Sequence, residues 1–130
     1  MSQSSPVPPA LRIWFIIHFV MDMLFAIPLF FSPTHVLSLF GWTTIDPLAA
    51  RLVASAFFAI GSSSFLVRNA SPEVYRAMLD LKLIWSAIAM IGILISLWLG
   101  APRFALAAFV IFLVFFLVWA FYRKRLSRTS

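Results

Sequence analysis

The chain has 130 residues, of which 63% are hydrophobic and 11% charged, with a net charge of +6 and no cysteine. A soluble domain is roughly 25% charged, so this is the composition of a membrane protein, one domain long, and it excludes disulfides, thiolate metal sites, CxxC redox chemistry and cysteine nucleophiles. The positive charge does not point to nucleic acid: four of the ten basic residues lie in the final eight, RKRLSRTS, directly after an apolar run, which is the placement of membrane-flanking charge and not of a basic patch interleaved with aromatics.

The N-terminal MSQSSPVPP is polar and proline-rich, without the basic n-region or cleavage site of a signal peptide, and residues 1–10 read as a disordered tail. The first apolar run is Leu11 to Phe31, and about 20 residues cross a ~30 Å hydrocarbon core. Pro28 lies near its far end, where it removes a backbone hydrogen bond and bends the last turn. SPTHVLSLFGW follows. Ser32 as N-cap, Pro33 in the first turn and Gly41 as C-cap bracket two turns of helix, too short to span and suited to the interface, with Trp42 at the headgroup level.

Asp46 and Pro47 repeat the grammar and open a second span, residues 48–67. Ser71, Pro72 and Glu73 open a third helix, with an amphipathic entry and a span over 79–99. Gly100 to Pro102 makes a tight turn, the fourth span covers 103–122, and 123–130 is a basic C-terminal tail. The expected fold is all-α: an integral membrane, antiparallel bundle of four spanning helices joined by short loops, with an interfacial helix in the first loop. The side holding both termini and the second loop carries eight basic residues (Arg12, Arg68, Arg76, Lys82, Arg123, Lys124, Arg125, Arg128) and the other side two (Arg51, Arg103). The positive-inside rule then puts both termini in the cytoplasm, across the inner membrane of the cell.

The second span is half small residues, and Ser55, Ala59 and Ser63 form a small-xxx-small stripe expected to lie at the packed centre. The fourth carries phenylalanines around its circumference, which fits lipid or a large apolar interface.

His18 and Asp22 are i, i+4 on the first helix and share a face. Asp22 falls ~16 Å in from the helix start, near mid-membrane, where a charge costs at least ~2.5–3.5 kcal/mol. It should face the bundle and have a partner. Arg51 is one choice, because Ser55 and Ser62 share roughly its face and make that face polar. Lys82 is the alternative, at a depth closer to His18. Three states stay open: a structural pair between helices, a functional polar site, or a neutral Asp22.

The remaining signals are weak. His35 lies seventeen residues beyond His18, roughly 25 Å along a helix, so one chain does not ligate both faces of a haem. One carboxylate and one histidine do not make a metal sphere. The serines of AIGSSSFL lie within a span, where they bond to backbone or to a neighbouring helix. The triplet Asn69-Ala70-Ser71 falls on the cytoplasmic side of this topology and reads as chance.

ARLVASAFFAIGSSSFLVRN, Ala50 to Asn69, opens a small-residue helix with an arginine and places a glycine ten residues later. With the chain length and four spans, this resembles the small four-helix membrane proteins of prokaryotes, in the broad style of DoxX-like families. The resemblance implies a membrane-embedded accessory role, quinone-linked in some members. It carries over no catalytic residue, and the lack of cysteine argues against a redox extension.

The expected function is therefore a non-catalytic accessory subunit or apolar-ligand binder, with His18, Asp22, Arg51, Ser55, Ser62 and Lys82 around a polar centre and no cofactor. One alternative is a small oligomeric transporter or channel using Asp22, Arg51 and His18 in a proton-linked path. The other is a membrane enzyme on a lipid-like substrate, with Asp22 and His18 as acid and base. The expected partners are membrane lipids, further copies of the chain or a membrane subunit, and not nucleic acid.

Overall fold

A computed structural model describes residues 7–128, and the first six residues of the expected tail lie outside it. The element order is α1 (Pro9–Phe31), α2 (Pro33–Leu39), α3 (Pro47–Leu66), α4 (Pro72–Trp98) and α5 (Phe104–Arg128). Four of these helices, all but α2, are long and apolar enough to cross a membrane.

Proline stands in the first turn of α1 to α4, where its missing N–H costs nothing. Asp46 caps α3, its carboxylate accepting from Leu48 N at 2.9 Å and Ala49 N at 3.3 Å. Ser32 and Ser71 hold the N-cap positions of α2 and α4, but neither makes the side-chain bond to its helix that its identity predicts. Gly41 ends the α2 segment at φ +99°, and a Cβ there would also lie 3.2 Å from Pro102 Cβ. Conformation and close approach both demand glycine at this turn.

Several limits differ from expectation. The helix α1 begins at Pro9, and Val7 before it is buried. The last helix runs on through the basic cluster to Arg128, so residues 123–128 are helical and not a tail. Arg123 explains part of this: it pairs with Asp80 of α4 through Nε at 2.6 Å and also donates to Ser127 one turn on.

The helix α1 lies along α3, with Phe19 against Phe65 (4.8 Å) and Phe30 against Phe58 (6.1 Å). The helix α4 lies along α5, with Trp85 6.1 Å from Phe112. Small residues do line the α3 seam, but on another face from the expected one: Ala50, Ala54, Gly61 and Ser64 are buried, whereas Ser55 and Ala59 are exposed. A helix that is half small residues offers such stripes on several faces, and the buried one is the one that accommodates Asp22.

Three helices share one buried spacing. Leu11, Phe15, His18 and Asp22 on α1, Tyr75, Leu79, Lys82 and Ser86 on α4, and Phe115, Trp119, Tyr122 and Leu126 on α5 each follow steps of four, three and four. That step keeps the residues of each helix on one buried face. Where α1 and α4 start and α5 ends, the seam is filled with large side chains, and Phe15 packs against Tyr75 at 4.5 Å with the rings tilted by 34° and meets Trp119 edge-on at 5.6 Å. The carbonyl of Arg68, just past α3, accepts from Arg12 and from Tyr75 Oη (2.6 Å). Groups a helix terminus leaves unpaired are thereby satisfied.

Candidate functional site: a buried lysine, histidine and aspartate beside an apolar pocket

One turn deeper the same stripes become polar. Lys82 is fully buried, and His18, Asp22, Ser64 and Ser86 are buried around it. Its Nζ donates to His18 Nδ1 at 2.6 Å and to Ser64 Oγ at 2.6 Å. The Ser64 hydroxyl spends its own proton on the carbonyl of Ile60, at 2.7 Å, so it meets Lys82 as an acceptor. The rings of Phe15 and Trp119 lie 4.7 and 4.9 Å from the same nitrogen. An ammonium removed from water is thus met by two acceptors and two π faces.

This arrangement orients the imidazole. The ammonium only donates, so Nδ1 accepts and the ring proton of a neutral His18 sits on Nε2. That nitrogen faces Asp22 Oδ1 at 3.5 Å, slightly longer than a hydrogen bond. Lys82, His18 and Asp22 form a line with the amine at one end and the carboxyl group at the other.

Asp22 fits because residue 61 is glycine. A Cβ at Gly61 would stand 2.7 Å from Asp22 Cβ and 3.2 Å from Oδ2. Oδ2 is buried and has no hydrogen-bond partner. Asp22 also belongs to the wall of a pocket of about 90 Å³, where His18, Asp22 and Ser86 form the polar side and Met21, Phe25, Phe57, Phe104, Ala108, Ile111, Phe112 and Phe115 the apolar side. Phe104 is held in place by Phe40 at the end of α2, stacked at 4.0 Å and 6°.

The expected site residues divide. His18, Asp22 and Lys82 come together. Arg51 does not join them: it is exposed, and its Nε donates to the carbonyl of Phe30 at 3.0 Å, near the end of α1. An arginine suits that position, because the last carbonyls of a helix are unpaired and carry its negative end. Ser55 is exposed and bonds back to Arg51 O at 2.8 Å, and Ser62 is half-buried. Ser64, Ser86, Gly61 and the α5 aromatics complete the site without having been singled out as its members. Their signal was the shared spacing: Lys82 and Ser86 continue the stripe of Tyr75 and Leu79, as His18 and Asp22 continue that of Leu11 and Phe15.

Among the described residues no group of three or more His, Cys, Asp or Glu is placed to hold a metal. What the fold and site define is an all-α chain with four potential spanning helices and a buried line of Lys82, His18 and Asp22 beside an apolar pocket. No family model, curated protein or solved structure matches the chain.

Proposed function

We propose that the chain is an integral protein of the cytoplasmic membrane, an antiparallel bundle of four spanning helices with both termini in the cytoplasm, and that it binds a small, mainly apolar ligand whose one polar end donates to Asp22. The exposed outer faces support the membrane setting: Ile84, Ile88, Ile91 and Ile95 form an outward stripe on α4 suited to lipid. The contacts of α1 with α3 and of α4 with α5 support the antiparallel order, since early residues of one helix meet late residues of the other. The eight-to-two division of basic residues supports the orientation.

The observation that carries the ligand is the pocket itself, a largely aromatic cavity on whose wall the polar residues His18, Asp22 and Ser86 stand. Apolar walls with a few convergent polar atoms are the usual make-up of small-molecule sites.

Fluorine NMR of the protein in lipid nanodiscs, titrated with 4-fluorophenol and with 4-fluorotoluene against empty nanodiscs, tests the proposal. Saturable binding of both is expected, tighter for the phenol by about three- to tenfold, as one added hydrogen bond provides. No saturable binding of either probe would overturn it.

A further inference from the structure

We propose that the outer groove between α4 and α5 seats one phospholipid with an anionic headgroup, its phosphate at Lys124 and a hydrocarbon chain along the groove floor. The inference rests on the membrane-spanning reading of the chain. It goes beyond the pocket proposal, since the groove shares no lining residue with the pocket.

The groove sorts its residues by polarity. Asp80, Arg123, Lys124 and Ser127 line one end, and Leu83, Ile84, Ala87, Phe116 and Ala120 line the rest. The two helices run in opposite senses here. Asp80 meets Arg123 at 2.6 Å, and Trp85, further along α4, comes within 6.1 Å of Phe112, which is earlier on α5. Both helices therefore turn from polar to apolar in the same direction, away from the end where α4 starts and α5 finishes. From Ser127 to Phe116 is ~16 Å of helix, close to the ~15 Å of hydrocarbon in one leaflet. Ala87 and Ala120 are half-buried and keep the floor low, while Ile84 stands exposed beside them.

Charge at the polar end is not balanced within the groove. Asp80 is taken up by Arg123, through Nε at 2.6 Å and Nη2 at 3.3 Å. Lys124 is exposed and has no acidic partner among the described residues. An unpaired cation at the mouth of an apolar groove complements an amphiphile with an anionic head. In the proposed orientation that mouth faces the cytoplasmic leaflet, where anionic lipid is the available counter-charge. A neutral lipid would fill the floor but leave Lys124 unmet. A second copy packed on this face about a two-fold axis would bring like charge to like at the same depth.

The test is native mass spectrometry of the full chain in mild detergent, with phosphatidylglycerol and phosphatidylcholine of identical acyl chains. One phosphatidylglycerol should be retained about fivefold over phosphatidylcholine, the preference that one basic residue near a headgroup provides. Lys124→Gln should bring the two lipids to within about twofold. Arg125→Gln should leave the preference unchanged, since Arg125 is exposed on the same helix but does not line the groove. Ala120→Leu fills the floor and should lower retention of both lipids about fivefold or more. Equal retention of the two lipids by the unaltered chain, or retention of neither, would overturn the inference. So would equal losses in Lys124→Gln and Arg125→Gln, undiminished retention in Ala120→Leu, or a second chain retained in place of lipid. The charge variants decide even where Ala120→Leu does not fold. Extraction of the chain from membranes by alkaline carbonate would remove the membrane reading and this inference together, whereas a chain that stays embedded without discriminating the lipids loses the inference alone.

Discussion

The two ends of the same bundle are built differently. On the side of the chain's first helical turns, the buried hydrophobic residues are large: Leu11, Phe15, Tyr75, Leu79, Trp119, Tyr122 and Leu126. On the other side of the Lys82 layer the buried hydrophobic residues are Phe115, which lines the pocket, and the alanines Ala26, Ala50, Ala54 and Ala105. The pocket lies on this side, among side chains of α1, α3, α4 and α5 that do not meet. One end is therefore closed, the other leaves room between the helices, and the line of Lys82, His18 and Asp22 marks the boundary.

Breaking the boundary should have the largest effect. Lys82→Met leaves Asp22 as an uncompensated buried charge and should cost about 3–5 kcal/mol, read as a lowered melting temperature in detergent. Adding Asp22→Asn to Lys82→Met should recover much of the loss, since directly coupled sites are not additive. Strict additivity would show that the line is not one unit.

Truncation in the closed end should come next. Leu79→Ala should cost about 2–5 kcal/mol, as a cavity opens in filled space. Unchanged thermal unfolding would mean that this end is not the packed one. Gly61→Ala should cost about 1–3 kcal/mol, because its Cβ runs into Asp22. Here the diagnostic is rescue: Asp22→Ala in the same chain should restore much of the stability. The smallest effect is expected from Arg51→Met, which removes one exposed hydrogen bond to a helix end. Its melting temperature should shift far less than that of Lys82→Met, and a comparable shift would return Arg51 to the polar centre.

The contrast between Lys82 and Arg51 also shows what the sequence can convey. Proline, glycine and Asp46 announce where helices begin and end, because these residues act on their own backbone. The placement of Gly41 and the break at Gly100 are legible for that reason. Pairing across helices depends on how each helix is rotated about its axis. Arg51 neighbours polar Ser55 and Ser62 on its own helix, yet that face turns outward. Lys82 lies near a run of charges, Arg76 and Asp80, that suggests an interface, yet it points inward because it falls in step with Tyr75, Leu79 and Ser86. The polar character of His18 and Asp22 could be read directly. Their partner could be read only from the common four-three-four step of three helices. The pocket itself was not legible, since it is a deficit of volume shared among α1, α3, α4 and α5.

The division into a closed end and an open end is tested most directly by filling the open one. Ala108 lines the pocket, and Ala108→Leu adds apolar volume there without touching the charged line. Thermal unfolding and the fluorine titration with 4-fluorophenol should be run on the same preparation. The expected result is a melting temperature equal to or above that of the unaltered protein, with binding weakened about tenfold or more. A stable Ala108→Leu variant that binds 4-fluorophenol as tightly as the unaltered chain would contradict the account.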